Sequence, residues 1–397
     1  MIDTLLTPEH VLPRDHEQSV LVGRIWSEGL GPTLVRVCVD HVYDISGLAP
    51  TSTALLEMVD PVGAIRDFGG PRVGDTAEIL ANSAQDQHRG GTSWFLAPCD
   101  LQAIKAAGVT FVASMLERVI EEQARGDAAR AEAVRKSVVS VIGDNLRSVK
   151  PGSEQAARLR EVLIAQGVWS QYLEVGIGED AEIFTKAQPM SAVGIGADIG
   201  LHPKSVWNNP EPEIVLAVNS RGETRGCALG NDVNLRDFEG RSALLLGKAK
   251  DNNASAAIGP FIRLFDAHFG IDDVRRCELA MQVSAADGGF EMHGSSSLSM
   301  ISRDPLELVE HAMGEPQCRT HQYPDGFMLY LGTMFAPTQD RHGPGQGFTH
   351  VLGDLVSVTT PALGTLVNRV GHSDRIAPWT YGASALMRDL ARRGLLA

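Results

Sequence analysis

Residues 208–237 read NNPEPEIVLAVNSRGETRGCALGNDVNLRD and decide the fold prediction, because they predict two strands joined by a tight turn. Successive side chains of a strand point to opposite faces. Glu211 and Glu213 therefore share one face, while Ile214 and Leu216 share the other. An apolar face of this kind predicts a buried first strand, with both carboxylates on its second face.

The turn between these strands fixes which residues lie opposite one another. Arg221 and Gly222 can form a two-residue hairpin loop, and residues 220–223 can form a four-residue loop. Both loops pair residues whose numbers sum to 443, so Asp232 is expected directly opposite Glu211. Side chains of such a pair are about 5 Å apart. We therefore expect three carboxylates to meet on one face.

Buried carboxylates that share a face repel one another and are costly to desolvate, and a cation between them removes both costs. Three carboxylates without Cys or His suit a hard ion with oxygen ligands, such as Mg²⁺. The alternative is that Glu211 and Glu213 are ordinary solvent-exposed strand residues, and the pattern alone leaves both open. Lys250 follows and could bind a substrate carboxylate or move a proton, or be a surface lysine beside Lys248.

Composition excludes several classes of partner. The 397 residues carry a formal net charge of −14, which argues against nucleic acid or an anionic membrane as the main partner. No apolar stretch reaches membrane-spanning length, and the first ten residues do not resemble a signal peptide. Five widely spaced cysteines without a CxxC motif predict reduced thiols, and we expect a cytoplasmic protein.

The chain divides by pattern into two parts. Residues 1–98 show short alternating runs broken by Gly and Asp, which predict a smaller β-rich N-terminal domain. In residues 99–397 a strand near Gly108 and a helix from about Ala113 come first, and a second helix is expected within 154–167. Strand-like segments then dominate with few helices between them, up to a short C-terminal helix. This order predicts an α+β fold with a mostly antiparallel β-sheet.

Several motifs together resemble the fumarylacetoacetate hydrolase superfamily. They are the ExE pair, NDxxxRD, GKAKDNN leading to IGPF, and the late Gly-Thr, Gly-Asp and GTLVNRV segments. The resemblance is strong from about residue 174 to 378, weaker from 100 to 122, and absent from the first hundred residues. It implies a catalytic domain over residues 99–397 built as a β-sheet roll of the fumarylacetoacetate hydrolase type.

Within the superfamily, the chain most resembles the sugar-acid dehydratases that act on 2-keto-3-deoxy-pentonates. WSQYLEVGIGEDAEIFTK, VWNNPEPE and HQYPDGFMLYLGTMFAPTQDR carry this likeness. It implies that Mg²⁺, or Mn²⁺ in its place, is bound by Glu211, Glu213 and Asp232. The remaining roles that it implies are an acid/base at Glu182, a substrate or catalytic lysine at Lys250, and binding of the substrate carboxylate or keto oxygen at Thr333. The charged helix after Met115 is expected to present a solvated face, and the alternative is that Ser114, Glu117 and Arg118 at its start close over the substrate.

One departure from the superfamily pattern distinguishes between the possible reactions. Carbon–carbon bond hydrolases of the superfamily use a lid-helix His to activate water, but residues 108–122, GVTFVASMLERVIEE, contain none. The chain is therefore expected to be a hydro-lyase that dehydrates 2-keto-3-deoxy-D-pentonate to 2,5-dioxopentanoate, with Glu182 as first-choice base and Lys250 as second. The alternatives are an acylpyruvate-type hydrolase or keto-acid decarboxylase on the same metal site, and a non-catalytic ligand-binding homologue. We expect a homodimer or homotetramer.

Overall fold

The computed structural model describes residues 2–84, 88–127, 130–131, 134–135, 149–165, 167–335 and 337–396. The strands within them are Leu21–Ser27 (β1), Gly31–Val37 (β2), His41–Asp44 (β3), Arg72–Asp75 (β4), Trp94–Leu96 (β5), Ala103–Gly108 (β6), Glu182–Ala187 (β7), Asp198–Leu201 (β8), Pro212–Val218 (β9), Thr224–Asp232 (β10), Ala256–Leu264 (β11), Glu278–Ser284 (β12), Glu291–Ser297 (β13), Phe327–Tyr330 (β14), Leu355–Thr360 (β15) and Gly364–His372 (β16).

The helices of the same residues are mostly short. They are Pro8–Val11 (α1), Ser52–Leu56 (α2), Pro61–Phe68 (α3), Thr76–Ala81 (α4), Val112–Ala124 (α5), Glu154–Ala165 (α6), Gln171–Ile177 (α7), Arg236–Glu239 (α8), Leu246–Lys250 (α9), Ile271–Val274 (α10), Pro305–Met313 (α11) and Ala383–Arg392 (α12), with 3-10 turns at Ile2–Thr4, Ala243–Leu245 and Leu298–Met300. The three predicted helices are confirmed as α5, α6 and α12. Among the helices described, none has both the length and the apolar character needed to cross a bilayer.

Two sheets organise the molecule. The larger has the order β4-β3-β2-β1-β11-β10-β9-β14-β6-β7, with β5 also paired to β1, and the smaller has the order β13-β12-β15-β16-β8. The α+β class is confirmed. The expectation of a mostly antiparallel sheet is wrong, since β14 runs parallel to β6 and β16 parallel to β8, so both sheets are mixed. These strands are far apart along the chain, and no hairpin constrains their direction.

The predicted hairpin is present as β9 and β10 at the centre of the larger sheet. Its acidic end has the predicted register, since Asn231 pairs with Pro212 and the Asp232 amide donates to the Glu211 carbonyl at 2.9 Å. The predicted turn is wrong, because Asn219 pairs with Glu223 and three residues form the loop. A one-residue bulge follows at position 225 and restores the sum of 443.

The hairpin is buried on both faces, as its first strand predicts. Ile214 and Leu216 of β9 enter one hydrophobic core, and Val215 and Ala217 enter the core on the other side of the sheet. All four side chains are 0% exposed. Carboxylates carried by this strand are therefore held far from bulk water, on a rigid support.

The first hundred residues contain more helix than expected. Helices α1 to α4 accompany the predicted strands, and β1 pairs antiparallel with β11, with Leu21 opposite Arg263. Arg263 also forms a bidentate ion pair with Asp15, at 2.8 and 2.6 Å. Strands from both sides of position 98 thus share one sheet. The division into domains 1–98 and 99–397 stays a prediction.

Candidate metal centre and active site

Glu211, Glu213 and Asp232 converge at the end of the β9–β10 hairpin. One oxygen of each carboxylate lies within 4.8 Å of the others, and all three residues are buried. The register of the hairpin produces this arrangement, because Asp232 lies opposite Glu211 while Glu213 lies two residues further along the same strand. The three oxygens form a ligand set suited to a hard divalent cation.

A backbone amide fixes Glu213 from the side of β14. The Gly332 N–H donates to Oε2 of Glu213 at 2.7 Å. Gly332 has a φ of +98°, and a methyl group there would overlap the hydroxyl of Thr110, which donates to the Leu331 carbonyl at 2.6 Å. Glycine is therefore required for this turn to aim its amide at the carboxylate. The next residue, Thr333, faces the same cavity as Glu213.

Three cationic side chains contact two of these carboxylates, Glu211 and Asp232. Lys250 Nζ lies 2.5 Å from Oε2 of Glu211 and 2.9 Å from Oδ2 of Asp232. Lys186 Nζ lies 2.8 Å from Oδ1 of Asp232, and Arg118 forms an ion pair with Oε1 of Glu211. A cluster so deeply buried needs such partners, since an unpaired buried charge is strongly unfavourable.

A second layer of ion pairs connects helices α5 and α8 to this cluster. Arg118 of α5 contacts Glu121 at 2.8 Å and Glu239 of α8 at 2.9 Å. Arg236 of α8 contacts Glu121 at 3.1 Å. Arg118 therefore connects Glu211 of the candidate metal centre to Glu239 of α8.

The charges of this network suit one divalent cation. Four cations, Arg118, Arg236, Lys186 and Lys250, face six carboxylates, Glu121, Glu182, Glu211, Glu213, Asp232 and Glu239. When all are ionised, two negative charges remain, which one Mg²⁺ or Mn²⁺ would cancel. The residues present thus fit a hard divalent ion in both ligand type and charge.

Burial and neighbouring charge shift the pKa values of the two glutamates of the ExE pair in opposite directions. Burial raises the pKa of Glu213, and the nearby Asp232 and Glu211 carboxylates raise it further. Burial also acts to raise the pKa of Glu211, but Arg118 and Lys250 outweigh it and lower that pKa to about 2. Glu213 is therefore the carboxylate whose ionised form gains most from a bound cation.

Glu182 is the first residue of β7, and it pairs with Gly108 of β6. A methyl group at Gly108 would overlap the Glu182 carboxylate, so glycine leaves the space in which this carboxylate turns into the cavity. Burial raises the pKa of Glu182 to about 7, helped by Glu239 and opposed by Arg118. A carboxylate with this pKa suits proton transfer near neutral pH.

One cavity collects nearly all of the predicted site residues. Its lining includes Ser114, Arg118, Glu182, Glu211, Glu213, Asp232, Lys250 and Thr333. Glu117 is not among the lining residues, and its carboxylate pairs with Arg135 at 2.8 Å. Adjacent residues of a helix point about 100° apart. Arg118 can therefore face the cavity while Glu117 turns to Arg135.

Sequence reasoning missed several members of the site. Phe184 and Glu239 line the cavity, and the Phe184 ring lies 5.8 Å from Lys250 Nζ. Lys186 and Arg236 lie behind the lining, where Lys186 pairs with the lining residue Asp232 and Arg236 pairs with Glu121 of the second layer. A signal for Phe184 was present, since it follows Glu182 by two residues on one strand and therefore shares its face.

Two curated proteins are similar to half of this chain. A probable 2-keto-3-deoxyxylonate dehydratase of Haloferax volcanii is 31% identical over 199 residues, which are 50% of this chain and 63% of that protein. A 2-dehydro-3-deoxy-D-arabinonate dehydratase of Saccharolobus solfataricus is 29% identical over 195 residues, 49% of this chain and 60% of that protein. The chain thus spans less than two thirds of each relative. No family model matches it.

Solved structures match almost the whole molecule. A 2-keto-3-deoxy-D-arabinonate dehydratase complexed with magnesium and 2,5-dioxopentanoate covers 89% of this chain and 99% of its own, with a TM-score of 0.57 and 19% identity. A fumarylacetoacetate hydrolase of Exiguobacterium antarcticum covers 89% and 100%, with a TM-score of 0.52 and 17% identity. The chain has the fumarylacetoacetate hydrolase fold, and half of it is similar in sequence to the two curated dehydratases. The resemblance found in the sequence is confirmed.

Proposed function

We propose that this protein is a Mg²⁺-dependent hydro-lyase that dehydrates 2-keto-3-deoxy-D-pentonate to 2,5-dioxopentanoate. The observation that carries the proposal is the meeting of Glu211, Glu213 and Asp232 with Lys250 and Glu182 around one buried cavity. Such a site offers a cation, a fixed ammonium group and a carboxylate with a pKa of about 7 to one small anionic substrate. Mn²⁺ is expected to replace Mg²⁺, because both prefer oxygen ligands.

The substrate carries a carboxylate, a 2-keto group, a C3 methylene and a C4 hydroxyl. A divalent cation in this site supplies Lewis-acid polarisation of the keto oxygen, which makes the C3 protons more acidic. Lys250 adds a positive charge beside Glu211 and Asp232. Burial acts to lower the pKa of Lys250, but the Asp232 and Glu211 carboxylates outweigh it and raise that pKa. Thr333, Ser114 and Arg118 line the cavity where the remaining polar groups of the substrate would bind.

Glu182 is the proposed general base, and Lys250 is the second choice. Glu182 takes one proton from C3, the C4–O bond breaks, and the hydroxyl leaves as water after it gains a proton. In the 5-hydroxy-2-oxo-3-enoate that results, a proton moves from C5 to C3 and leaves a C4–C5 enol. This enol becomes 2,5-dioxopentanoate when its hydroxyl proton moves to C4. Ionised Glu182 is favoured as base, because the raised pKa of Lys250 keeps that side chain protonated at neutral pH.

The lining of the cavity favours dehydration over hydrolysis. Among the described residues that line it, none is a histidine. The lid-helix face carries Ser114 and Arg118, and neither serves as the neutral base that water attack on an acylpyruvate requires. No lining residue of the described cavity favours one of the alternatives. These are an acylpyruvate-type hydrolase, a keto-acid decarboxylase and a non-catalytic ligand-binding homologue.

The proposal extends to the setting of the enzyme. All five cysteines are free, which supports the cytoplasm as its compartment. The substrate is a small molecule, and neither nucleic acid nor membrane is proposed as a partner. A homodimer or homotetramer stays a prediction, which sedimentation equilibrium of the purified protein would test.

The direct test is incubation of the purified protein with 2-keto-3-deoxy-D-pentonate and Mg²⁺, with formation of 2,5-dioxopentanoate followed by mass spectrometry. We expect turnover that EDTA abolishes and that added Mg²⁺ restores. Reactions with the C4 epimer and with an acylpyruvate run in parallel. Cleavage of the acylpyruvate without dehydration of either pentonate would replace the proposal with the hydrolase alternative.

A further inference from the structure

Lys186 is buried beneath the candidate metal centre, where the proposed reaction does not use it. Its side chain is 0% exposed, and it is not among the residues that line the cavity. Lys250 reaches the cavity, but Lys186 is separated from any substrate. Burying an ammonium group is costly, so its presence there calls for a physical reason.

Lys186 lies at the extra position of a bulge in β7. Ile104 pairs with Ala187 and Lys105 pairs with Thr185, which makes Lys186 the extra residue. Strand alternation from Glu182 through Phe184 places Lys186 on the same face as these two cavity residues. Lys186 therefore extends from the cavity side of β7, and its ammonium group reaches Asp232.

The surroundings of Lys186 are those of a charged ammonium group. Its Nζ lies 2.8 Å from Oδ1 of Asp232, 3.3 Å from the Val233 carbonyl and 3.4 Å from the Ser255 hydroxyl, and it donates to the Lys250 carbonyl. A lysine has three N–H donors and no acceptor, so these four oxygens offer an acceptor to every one of its donors. Asp232 is the one carboxylate that contacts it among the described residues.

We propose that Lys186 is a built-in counter-cation of the metal centre, which stabilises the metal-free cluster and thereby weakens metal binding. This inference rests on the metal site of the proposed function. Without metal, Lys186 offsets the negative charge of Asp232. With metal, Asp232 is shared between two cations that repel each other. Because the effect is reciprocal, the part of the stability from Lys186 that is lost when the ion binds is subtracted from the affinity for the ion.

The test uses Lys186→Gln, which removes the charge and keeps an N–H donor, together with Lys186→Met. Mn²⁺ affinity is measured by isothermal titration at pH 8, and thermal unfolding is followed with and without Mn²⁺. We expect both variants to bind Mn²⁺ at least tenfold more tightly than the wild type. Their metal-free melting temperatures should be lower, and saturating Mn²⁺ should raise them by more than it raises that of the wild type.

Two controls accompany these variants. Lys186→Arg keeps the charge and should bind Mn²⁺ within threefold of the wild type. Lys248→Met removes an exposed lysine of the same short helix as Lys250. It should change neither the Mn²⁺ affinity nor the melting temperature. Unchanged or weaker Mn²⁺ binding by the Gln and Met variants would overturn the inference and leave Lys186 as a support for Asp232.

Folding of the variants is itself informative. If a charge-removing variant unfolds alone but folds with Mn²⁺, the counter-cation role is supported, because the metal replaces the missing charge. Failure to fold even with Mn²⁺ in both variants would overturn it. The outcome is separate from the proposed function. A wild type that binds Mn²⁺ without dehydrating a pentonate would defeat the function alone, and a wild type that dehydrates with unchanged variants would defeat the inference alone.

Discussion

Glu182 and Gly108 pair across β6 and β7, and the carboxylate of the first occupies the space that a side chain on the second would fill. The proposed base is thus positioned by the absence of a neighbouring side chain as well as by its own strand. A glycine in the cavity lining therefore decides whether the carboxylate of the base has room to enter the cavity.

Gly108→Ala should displace the Glu182 carboxylate from the cavity. Misplacement of a proton-transfer group by about 1 Å can cost about 10²-fold in rate. We therefore expect kcat to fall at least tenfold, while Mn²⁺ affinity stays within threefold of the wild type. Gly382→Ala, at a position with open space around it, is the control and should keep full turnover. Unchanged kcat in Gly108→Ala would show that the carboxylate position does not limit the reaction.

Glu182→Gln should lower kcat by about 10²-fold or more, the usual contribution of a general base. Burial raises the pKa of Glu182 to about 7. A base acts in its ionised form, so kcat/KM of the wild type should rise with pH up to about 7 and then level off. Full turnover by the variant would show that Glu182 is not the base, and Lys250 would become the first choice.

The same pKa predicts a stability effect in the metal-free protein. The folded state holds the proton of Glu182 up to a pH of about 7, whereas an unfolded chain releases it at the usual value of 4.5. The folded state therefore binds more protons between these values, and its stability falls as pH rises through that window. Glu182→Gln should not lose stability in this way. Between pH 5 and pH 8, the free energy of unfolding measured with urea should therefore rise in the variant relative to the wild type. An equal change in both proteins would contradict the raised pKa of Glu182.

Glu213→Gln should abolish metal binding without unfolding the protein. Burial and the carboxylates of Asp232 and Glu211 raise the pKa of Glu213, so a neutral amide relieves repulsion in the metal-free cluster. We expect no Mn²⁺-induced rise in melting temperature and no turnover. Glu223→Gln, at the exposed tip of the same hairpin, is the matched control and should behave as the wild type. Mn²⁺ affinity retained in Glu213→Gln would remove Glu213 from the ligand set.

Gly332→Ala combines backbone strain with a steric clash. The residue has a φ of +98°, and the added methyl group would overlap the Thr110 hydroxyl. Strain of this kind costs about 1–3 kcal/mol. Mn²⁺ affinity should also fall, because the Gly332 amide that binds Glu213 must move. Thr110→Ala in the same chain should recover part of the affinity if the clash dominates, and no recovery would assign the loss to the backbone alone.

Local pattern was sufficient to predict the central part of the site. Alternation placed Glu211 and Glu213 on one face, and hairpin pairing brought Asp232 opposite Glu211, both as the structure shows. These relations depend only on strand geometry within thirty residues, which the sequence contains. The motifs also predict the fold correctly. The parallel pairs that make both sheets mixed join distant strands, whose direction local pattern does not specify.

The outer layer could not be predicted in the same way. Alternation from Glu182 and Phe184 indicates the face of Lys186, but its contact with Asp232 joins strands that are distant in sequence. Glu239 faces the cavity from a four-residue helix, too short to show a period. Glu117 was assigned to the pocket together with Ser114 and Arg118 at the start of the helix, but its carboxylate pairs with Arg135 outside the cavity lining. These positions depend on tertiary packing that local pattern does not carry.

The three-residue loop and the bulge at position 225 have opposite effects on strand alignment, so each cancels the displacement that the other would cause. A two-residue loop without a bulge would place Asp232 opposite Glu211 equally well. A chain of this length can therefore form either turn, a three-residue loop with the bulge or a two-residue loop without it, and keep the same carboxylates opposite each other. The tip of the hairpin is thus free to rearrange locally without disturbing the ligands at its far end.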